Sequence, residues 1–164
     1  MHMMRRSVIQ VGDSGKVLVT SDGYQVRRIE LLGTPEGPAA AQDDSSASLA
    51  IERFLNGQRD ALECLKADLN ALELSDFTRT VLEQMQRIPL GETATYGQLA
   101  KIVGKHGAAI AVGGACGKNP IPILVPCHRV VASNGIGGFS SRLAWKKRLL
   151  AADKGITELT TEDK

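Results

Sequence analysis

Residues 119–131 read Asn-Pro-Ile-Pro-Ile-Leu-Val-Pro-Cys-His-Arg-Val-Val, and the rest of the chain is organised around them. Pro120, Pro122 and Pro126 each fix φ and push the preceding residue to an extended conformation, so no helix forms here. Ile121, Ile123, Leu124 and Val125 seek burial. The segment is therefore stiff and buried, and it ends in a thiol, an imidazole and a guanidinium: Cys127, His128 and Arg129. A cysteine behind an apolar run is ordinarily a small core hydrophobe. One beside His and Arg is different, because neighbouring positive charge favours the thiolate, and the thiolate is the nucleophile. The stretch predicts a reactive Cys127 with a lowered pKa.

Toward the C-terminus, Gly135, Gly137 and Gly138 permit close approach of backbone to a ligand. Ser140 or Ser141 is positioned to cap a last helix from Arg142 to about Lys154, with Leu143, Leu149 and Leu150 apolar and Gly155 just beyond it. Lys146, Lys147 and Arg148 read as a solvated basic face with some capacity for phosphate contact. Asp153 falls in the last turn, where negative charge opposes the helix dipole, so it needs a cationic partner or water. Residues 157–164 read as a frayed tail.

Upstream, Ser75 and Asp76 open a helix in which Phe77, Val81, Met85 and Ile88 recur at helical spacing. Pro89 to Glu92 ends it. Thr95 caps the next helix, residues 96–103; a turn at 104–107 leads to another at 108–117. Two short helices around a Gly-containing turn read as helix-turn-helix. The second helix carries no Arg, Asn or Gln to reach base edges. Its small residues suit either a buried helix–helix contact, which the pattern alone favours, or insertion into a narrow groove. His106 reads as a solvated turn residue, and Cys116 as buried packing.

The first half shows no chemistry of its own. Residues 7–32 read as a hairpin, with strands at 8–11 and 16–20, a turn at 21–23, and imperfect alternation over 25–32. Residues 33–45 look like a loop. Ser45 or Ser48 caps a short helix through Asn56, with Leu49, Phe54 and Leu55 apolar. Residues 57–74 fit strand or helix, and Cys64 reads as packing. A domain boundary is expected near residue 74, giving domains 1–74 and 75–156.

The 164 residues suffice for one or two small domains. No apolar run approaches the roughly 18 residues of a membrane span, and the opening Met-His-Met-Met-Arg-Arg lacks a signal peptide's apolar stretch. Three widely spaced cysteines suggest neither a disulfide framework nor a Cys-rich zinc site, and point to a reducing location, cytoplasmic or nuclear. The net charge of +2 hides an asymmetry. Residues 1–75 carry 8 Lys and Arg against 11 Asp and Glu; residues 76–154 carry 11 against 4. Basic charge gathered in one half is the footprint of a polyanion partner.

Pro126-Cys127-His128-Arg129-Val130 closely resembles the active-site signature of the O6-alkylguanine-DNA alkyltransferases. The order around it matches as well: Phe77-Thr78, Gly91-Glu92-Thr93, Tyr96-Gly97-Gln98-Leu99-Ala100, Ala111-Val112-Gly113-Gly114, Asn119-Pro120 and Gly138-Phe139-Ser140. The match covers about residues 75–155. The resemblance implies an α+β protein, with a small N-terminal α/β domain (RNase H-like) and a C-terminal winged helix-turn-helix-like domain. It implies DNA repair by single, irreversible transfer of an alkyl group from O6-alkylguanine, and from O4-alkylthymine, to Cys127. The base would first be rotated out of the stack from the minor groove, as chemistry on a paired base demands. No cofactor or metal is implied, and a monomer is expected.

By the same resemblance, His128 acts through water as the base for Cys127, Asp153 orients His128, and Asn119 holds the turn. Tyr96, Val130, Phe139 and Ser140 contact the flipped base, and Thr95, Ala109, Ile110, Gly113 and Arg129 lie toward DNA, with Arg129 supporting the turn more than touching the lesion. The chain departs from the family at three positions: Asp153 where Glu is usual, Phe139 where Tyr is common, and Ile110 where an arginine fills the space left by the base. Ile110 implies retained transfer with weakened duplex binding or flipping. Two other readings stand beside this one: a non-catalytic sensor of alkylated DNA that recruits other repair factors, and a Cys-His hydrolase that turns over.

Overall fold

The computed structural model describes residues 3–22, 25–33, 45–138 and 143–157. Three antiparallel strands, β1 (Arg5–Val11), β2 (Gly15–Asp22) and β3 (Gln25–Leu32), pair in the order β1-β2-β3. This is a three-stranded meander rather than a hairpin. The reason is a tight turn at 12–14: Gly12 takes φ +46°, and the Ser14 amide donates to the Val11 carbonyl at 2.9 Å. Strand β2 runs on through Ser21 and Asp22, which the sequence had assigned to the turn, after a register irregularity at Thr20/Ser21. Val17, Val19, Val26 and Ile29 turn into the core.

Helix α1 (Ser46–Leu55) starts at Ser45, whose Oγ accepts from the Ser48 amide at 3.2 Å. It buries Ala47, Ala50, Ile51, Phe54 and Leu55, a stripe at helical spacing that leaves Leu49 outside. Residues 57–74 settle as two single 3₁₀ turns, Ala61–Cys64 and Leu69–Ala71. Cys64 is exposed there, not packed as expected.

Helix α2 (Asp76–Met85) is capped by Ser75 and buries Val81, Leu82 and Met85 completely. A two-residue strand, β4 (Ala94–Thr95), pairs in parallel with β5 (Val130–Val131). That pairing sets the start of helix α3 (Tyr96–Ile102) beside the segment quoted first. Thr95 and Gln98 form a reciprocal capping box at the start of α3. Helix α4 (Ala109–Gly117) follows, and α5 (Leu143–Asp153) closes the described chain. The expected caps of α5, Ser140 and Ser141, lie outside the described residues, as do residues 158–164 of the expected tail.

Helix α4 is not the buried helix its composition favoured. Only Val112 and Ala115 are buried, and Cys116 is half-buried. Helix α5 departs the other way: Lys146 and Arg148, read as solvated, are buried with Trp145, Leu149 and Ala152. One hydrophobic core joins both halves, from Val17 and Phe54 to Leu82, Ile121 and Trp145. Hydrogen bonds reinforce it: the Ile29 amide to the Pro120 carbonyl at 2.9 Å, and Trp145 Nε1 to the Leu32 carbonyl at 3.1 Å.

Candidate active site

The prolines predicted a stiff segment, and Asn119 is what fastens it. Its Nδ2 donates to the Val125 carbonyl at 2.8 Å while its Oδ1 accepts from the Ile121 amide at 3.0 Å. Between these clasps Ile123 takes φ 77°, a left-handed conformation rare for a β-branched residue. Such strain of order 1–3 kcal/mol persists only where the surroundings over-determine it. The segment then closes into a 3₁₀ turn, Cys127–Arg129, with the Cys127 amide donating to Val125 at 2.8 Å. Cys127 is left 6% exposed, reachable but almost dry.

His128 points away from solvent altogether. Its Nε2 lies 3.0 Å from Asp153 Oδ2, both side chains buried. The shorter acid in place of Glu thus makes a hydrogen bond of ordinary length. Arg129 binds the same carboxylate twice, Nε to Oδ2 at 2.7 Å and Nη2 to Oδ1 at 3.1 Å, and its Nη1 donates to the Ile88 carbonyl at 2.8 Å. All three guanidinium nitrogens are engaged inside the protein. Arg129 therefore supports the turn; its guanidinium is spent inside the protein, not on the DNA side where the resemblance also grouped it. Asp153 gains the cationic partner its helix position called for. Burial opposes its ionisation, but the bonds from His128 and Arg129 outweigh burial and hold the carboxyl below its usual value. Burial lowers the His128 pKa despite Asp153, with Arg129 and Lys146 acting in the same direction. The imidazole is thus neutral. With Nε2–H given to Asp153, the lone pair is on Nδ1, which is buried and has no protein partner.

The lowered thiol pKa expected from His128 and Arg129 is not found. Burial pushes Cys127 up to about 11, against lowering by the Asn119 hydrogen bond and the charge of Lys146. Adjacency in sequence misled: both neighbours turn their polar atoms toward Asp153. The resting sulfur is a protonated thiol, and a base is needed to make it react.

Tyr96 forms one wall. Its Oη donates to the Gly138 carbonyl at 3.2 Å, and Lys146 Nζ sits 5.7 Å from its ring centroid. Gly137, at φ +79°, is required there: a Cβ would come within 3.1 Å of Tyr96 Cε2. Gly113 lies beside the same ring. Val130 is buried, while Phe139 and Ser140 lie outside the described residues. Sequence reading missed Lys146 and Cys116 at this site. A signal existed for Lys146: it precedes Leu149 by three positions and Asp153 by seven, which places it on the inward face of a helix. Among the described residues no group of three or more His, Cys, Asp or Glu side chains could hold a metal ion.

Outside, Ile110 stands 92% exposed near the start of α4, with Ala109 half-buried next to it. Gly114 and Gly117 meet nothing within 4 Å. Lys101 in α3, Lys105 and His106 in the turn before α4, and Lys118 just after α4 are exposed. Thr95 is half-buried and occupied as the α3 cap.

A helix-turn-helix set against a buried thiol, imidazole and carboxylate is the architecture of a transferase that works through cysteine. Residues 76–155 match the family model described as 6-O-methylguanine DNA methyltransferase, DNA binding domain. A probable methylated-DNA–protein-cysteine methyltransferase of Acanthamoeba polyphaga mimivirus is 35% identical over 88% of this chain and 93% of its own length. The methylated-DNA–protein-cysteine methyltransferase of Mycolicibacterium paratuberculosis is 48% identical, over 79% of this chain and 78% of its own. The crystal structure of Mycobacterium tuberculosis O6-methylguanine methyltransferase superposes with a TM-score of 0.73, at 29% identity and 98% coverage of both chains. A second structure of that organism's protein, in complex with DNA, gives 0.72 at 29% identity, over 91% of this chain and 92% of its own. This chain belongs to the methylated-DNA–protein-cysteine methyltransferase family.

Proposed function

We propose that Cys127 is the alkyl acceptor, served by His128 through a bridging water and by Asp153 behind it. The activity is DNA repair by transfer of an alkyl group to protein cysteine, which consumes the protein. The observation that carries the residue assignment is the line from a nearly dry Cys127 past the unpartnered His128 Nδ1 to the buried Nε2–Asp153 bond at 3.0 Å. A buried polar atom is normally hydrogen-bonded, and water fits Nδ1. The thiol proton passes through that water to Nδ1, and Asp153 stabilises the resulting imidazolium without taking a proton, as in a catalytic triad. The thiolate attacks the alkyl carbon; a C–S bond forms, the C–O6 bond breaks, and guanine leaves with its electron pair to be protonated.

The DNA-facing surface in this reading is α4. Small side chains let its backbone approach a minor groove, and Ile110 enters the stack as an apolar wedge. The flipped O6-alkylguanine then lies against Tyr96 and the Val130 carbonyl. An O4-alkylthymine presents the same alkyl–oxygen bond. A monomer suffices, since every residue named comes from one chain. A reducing compartment, cytoplasm or nucleoid, keeps the thiol available. Residues 1–74 serve as a small α/β domain bracing the alkyltransferase domain, 75–156.

Intact mass after incubation with duplex DNA containing O6-methylguanine tests this. One added methyl on the Cys127 peptide, absent in Cys127→Ser, is the expected result. Transfer that survives Cys127→Ser overturns the assignment. The sensor reading is disfavoured because thiol, imidazole and acid are all in place, and the relatives above are named methyltransferases.

A further inference from the structure

Lys146 has no part in the acid–base line, yet it is fully buried, with a relative exposure of 0%. A buried ammonium is costly unless it is hydrogen-bonded and faces negative charge. Its Nζ donates to the Val130 carbonyl at 2.6 Å and the Gly138 carbonyl at 3.0 Å. Those carbonyls are the two ends of the excursion 131–137, a lip that follows directly on the Cys127 turn and packs Gly137 against the Tyr96 ring. Tyr96 Oη donates to the same Gly138 oxygen, so α3, the lip and α5 are joined at one point. The ionisable groups that face Lys146 are Cys127 from the 3₁₀ turn, Cys116 from α4, Tyr96 from α3 and the neighbouring His128. Of these, the sulfur that must become negative is Cys127, and the lysine charge favours that change.

Resting on Cys127 as acceptor, we propose that Lys146 is a positioning residue for alkyl transfer. Its ammonium clamps the Val130 and Gly138 carbonyls so that the lip is preformed, and it holds a fixed positive charge toward the sulfur as the thiolate develops. A charge set in place before reaction stabilises a developing anion without reorganisation. An apolar residue of equal length would fill the volume and do neither.

The test compares Lys146→Met, Lys146→Gln and Lys146→Arg with the parent, each checked for an unchanged far-ultraviolet spectrum. Iodoacetamide, which needs no base recognition, reads the Cys127 thiolate at neutral pH as a rate of adduct formation by peptide mass; burial lowers the Lys146 pKa, so its charge is read well below the thiol titration. Free O6-benzylguanine reads transfer. Loss of the charge in Lys146→Met is expected to slow Cys127 adduct formation at neutral pH roughly tenfold and to slow benzylguanine transfer by roughly the same factor. Lys146→Arg recovers both in part. Should Lys146→Met fail to fold, Lys146→Gln, which keeps two N–H donors but no charge, carries the same expectation. A folded uncharged variant with an unchanged Cys127 adduct rate overturns the proposal. Benzyl adducts from O6-benzylguanine mapping to Cys116 in the parent would instead overturn Cys127 as acceptor, an outcome read separately from the iodoacetamide rate.

Discussion

Helices α4 and α5 invert the usual relation between charge and burial. Within α4 there is no charged side chain, yet it leaves Ile110, Ala111, Gly114 and Gly117 exposed. In α5, Lys146, Arg148 and Asp153 are charged, and all three are buried. The difference follows from what each helix must satisfy. The outer face of α4 is kept small and bare, as a surface must be to close on a large partner. The charges of α5 end on protein atoms: Lys146 on two carbonyls, Arg148 on the carbonyls of Leu55 and Ile156, Asp153 on His128 and Arg129. Composition tells which helix has charge. It does not tell where the charge goes.

The harshest test of this contrast is Asp153→Asn. It leaves the Arg129 guanidinium buried without its counter-charge, a loss of about 3–5 kcal/mol in urea unfolding. Alkyl transfer should fall by roughly 100-fold or more, because His128 loses the group that orients it. A variant of near-parental stability would mean the buried charges of α5 are incidental.

On α4 the corresponding test is Ile110→Arg. Restoring a cation and its hydrogen bonds should strengthen duplex binding by about 1–3 kcal/mol, with no change toward free O6-benzylguanine. An equal gain on both substrates would show that Ile110 does not act through DNA.

Each helix has a thiol near it, Cys116 within α4 and Cys127 in the turn packed on α5, and alkaline stability reports on them. Burial raises both, to about 12 and about 11. The folded thiols thus keep protons that the unfolded chain has already released. Their contribution is complete below pH 9.0, the ordinary thiol value, and is lost as pH rises toward 11 and 12. Stability should decline by roughly 1 kcal/mol per pH unit for each thiol in that window, and Cys127→Ser should make the decline shallower in urea melts at pH 9 to 11.

The smallest effect sharpens the reading of α4 most. Open space surrounds Gly114, so Gly114→Ala should raise stability by about 0.5–1 kcal/mol through helix propensity. DNA affinity in a fluorescence titration should fall at the same time. A rise in both would place that face away from DNA.

What could be read in advance was local. Ser45, Ser75 and Thr95 are caps because a hydroxyl bonds an amide three residues on, and sequence carries that spacing directly. The site signature was legible for the same reason, being continuous over five residues. The fates of Lys146 and Arg148 were not, because their acceptors lie 16 residues away at Val130 and 93 away at Leu55. The Cys127 titration failed for a related reason. Neighbours in sequence need not point at one another, and His128 and Arg129 both point at a residue some two dozen positions downstream. In the first half, the strands at 8–11 and 16–20 were legible, but the turn at 12–14 that folds them back on one another was not named, although Gly12, Asp13 and Gly15 are turn residues.

Beyond the apolar core they share, the two halves are tied by hydrogen bonds to main-chain atoms of the first half. The Ile29 amide holds Pro120, the Leu32 carbonyl holds Trp145, and the Leu55 carbonyl holds Arg148; Arg59, whose Nε donates to the Asp153 carbonyl, contributes a side chain from the first half. Main-chain atoms are indifferent to mutation so long as their strand or helix survives. The first half can therefore exchange most of its surface for new sequence while still bracing the reactive turn. Arg59 is the one position among these ties where drift would be felt at the acid.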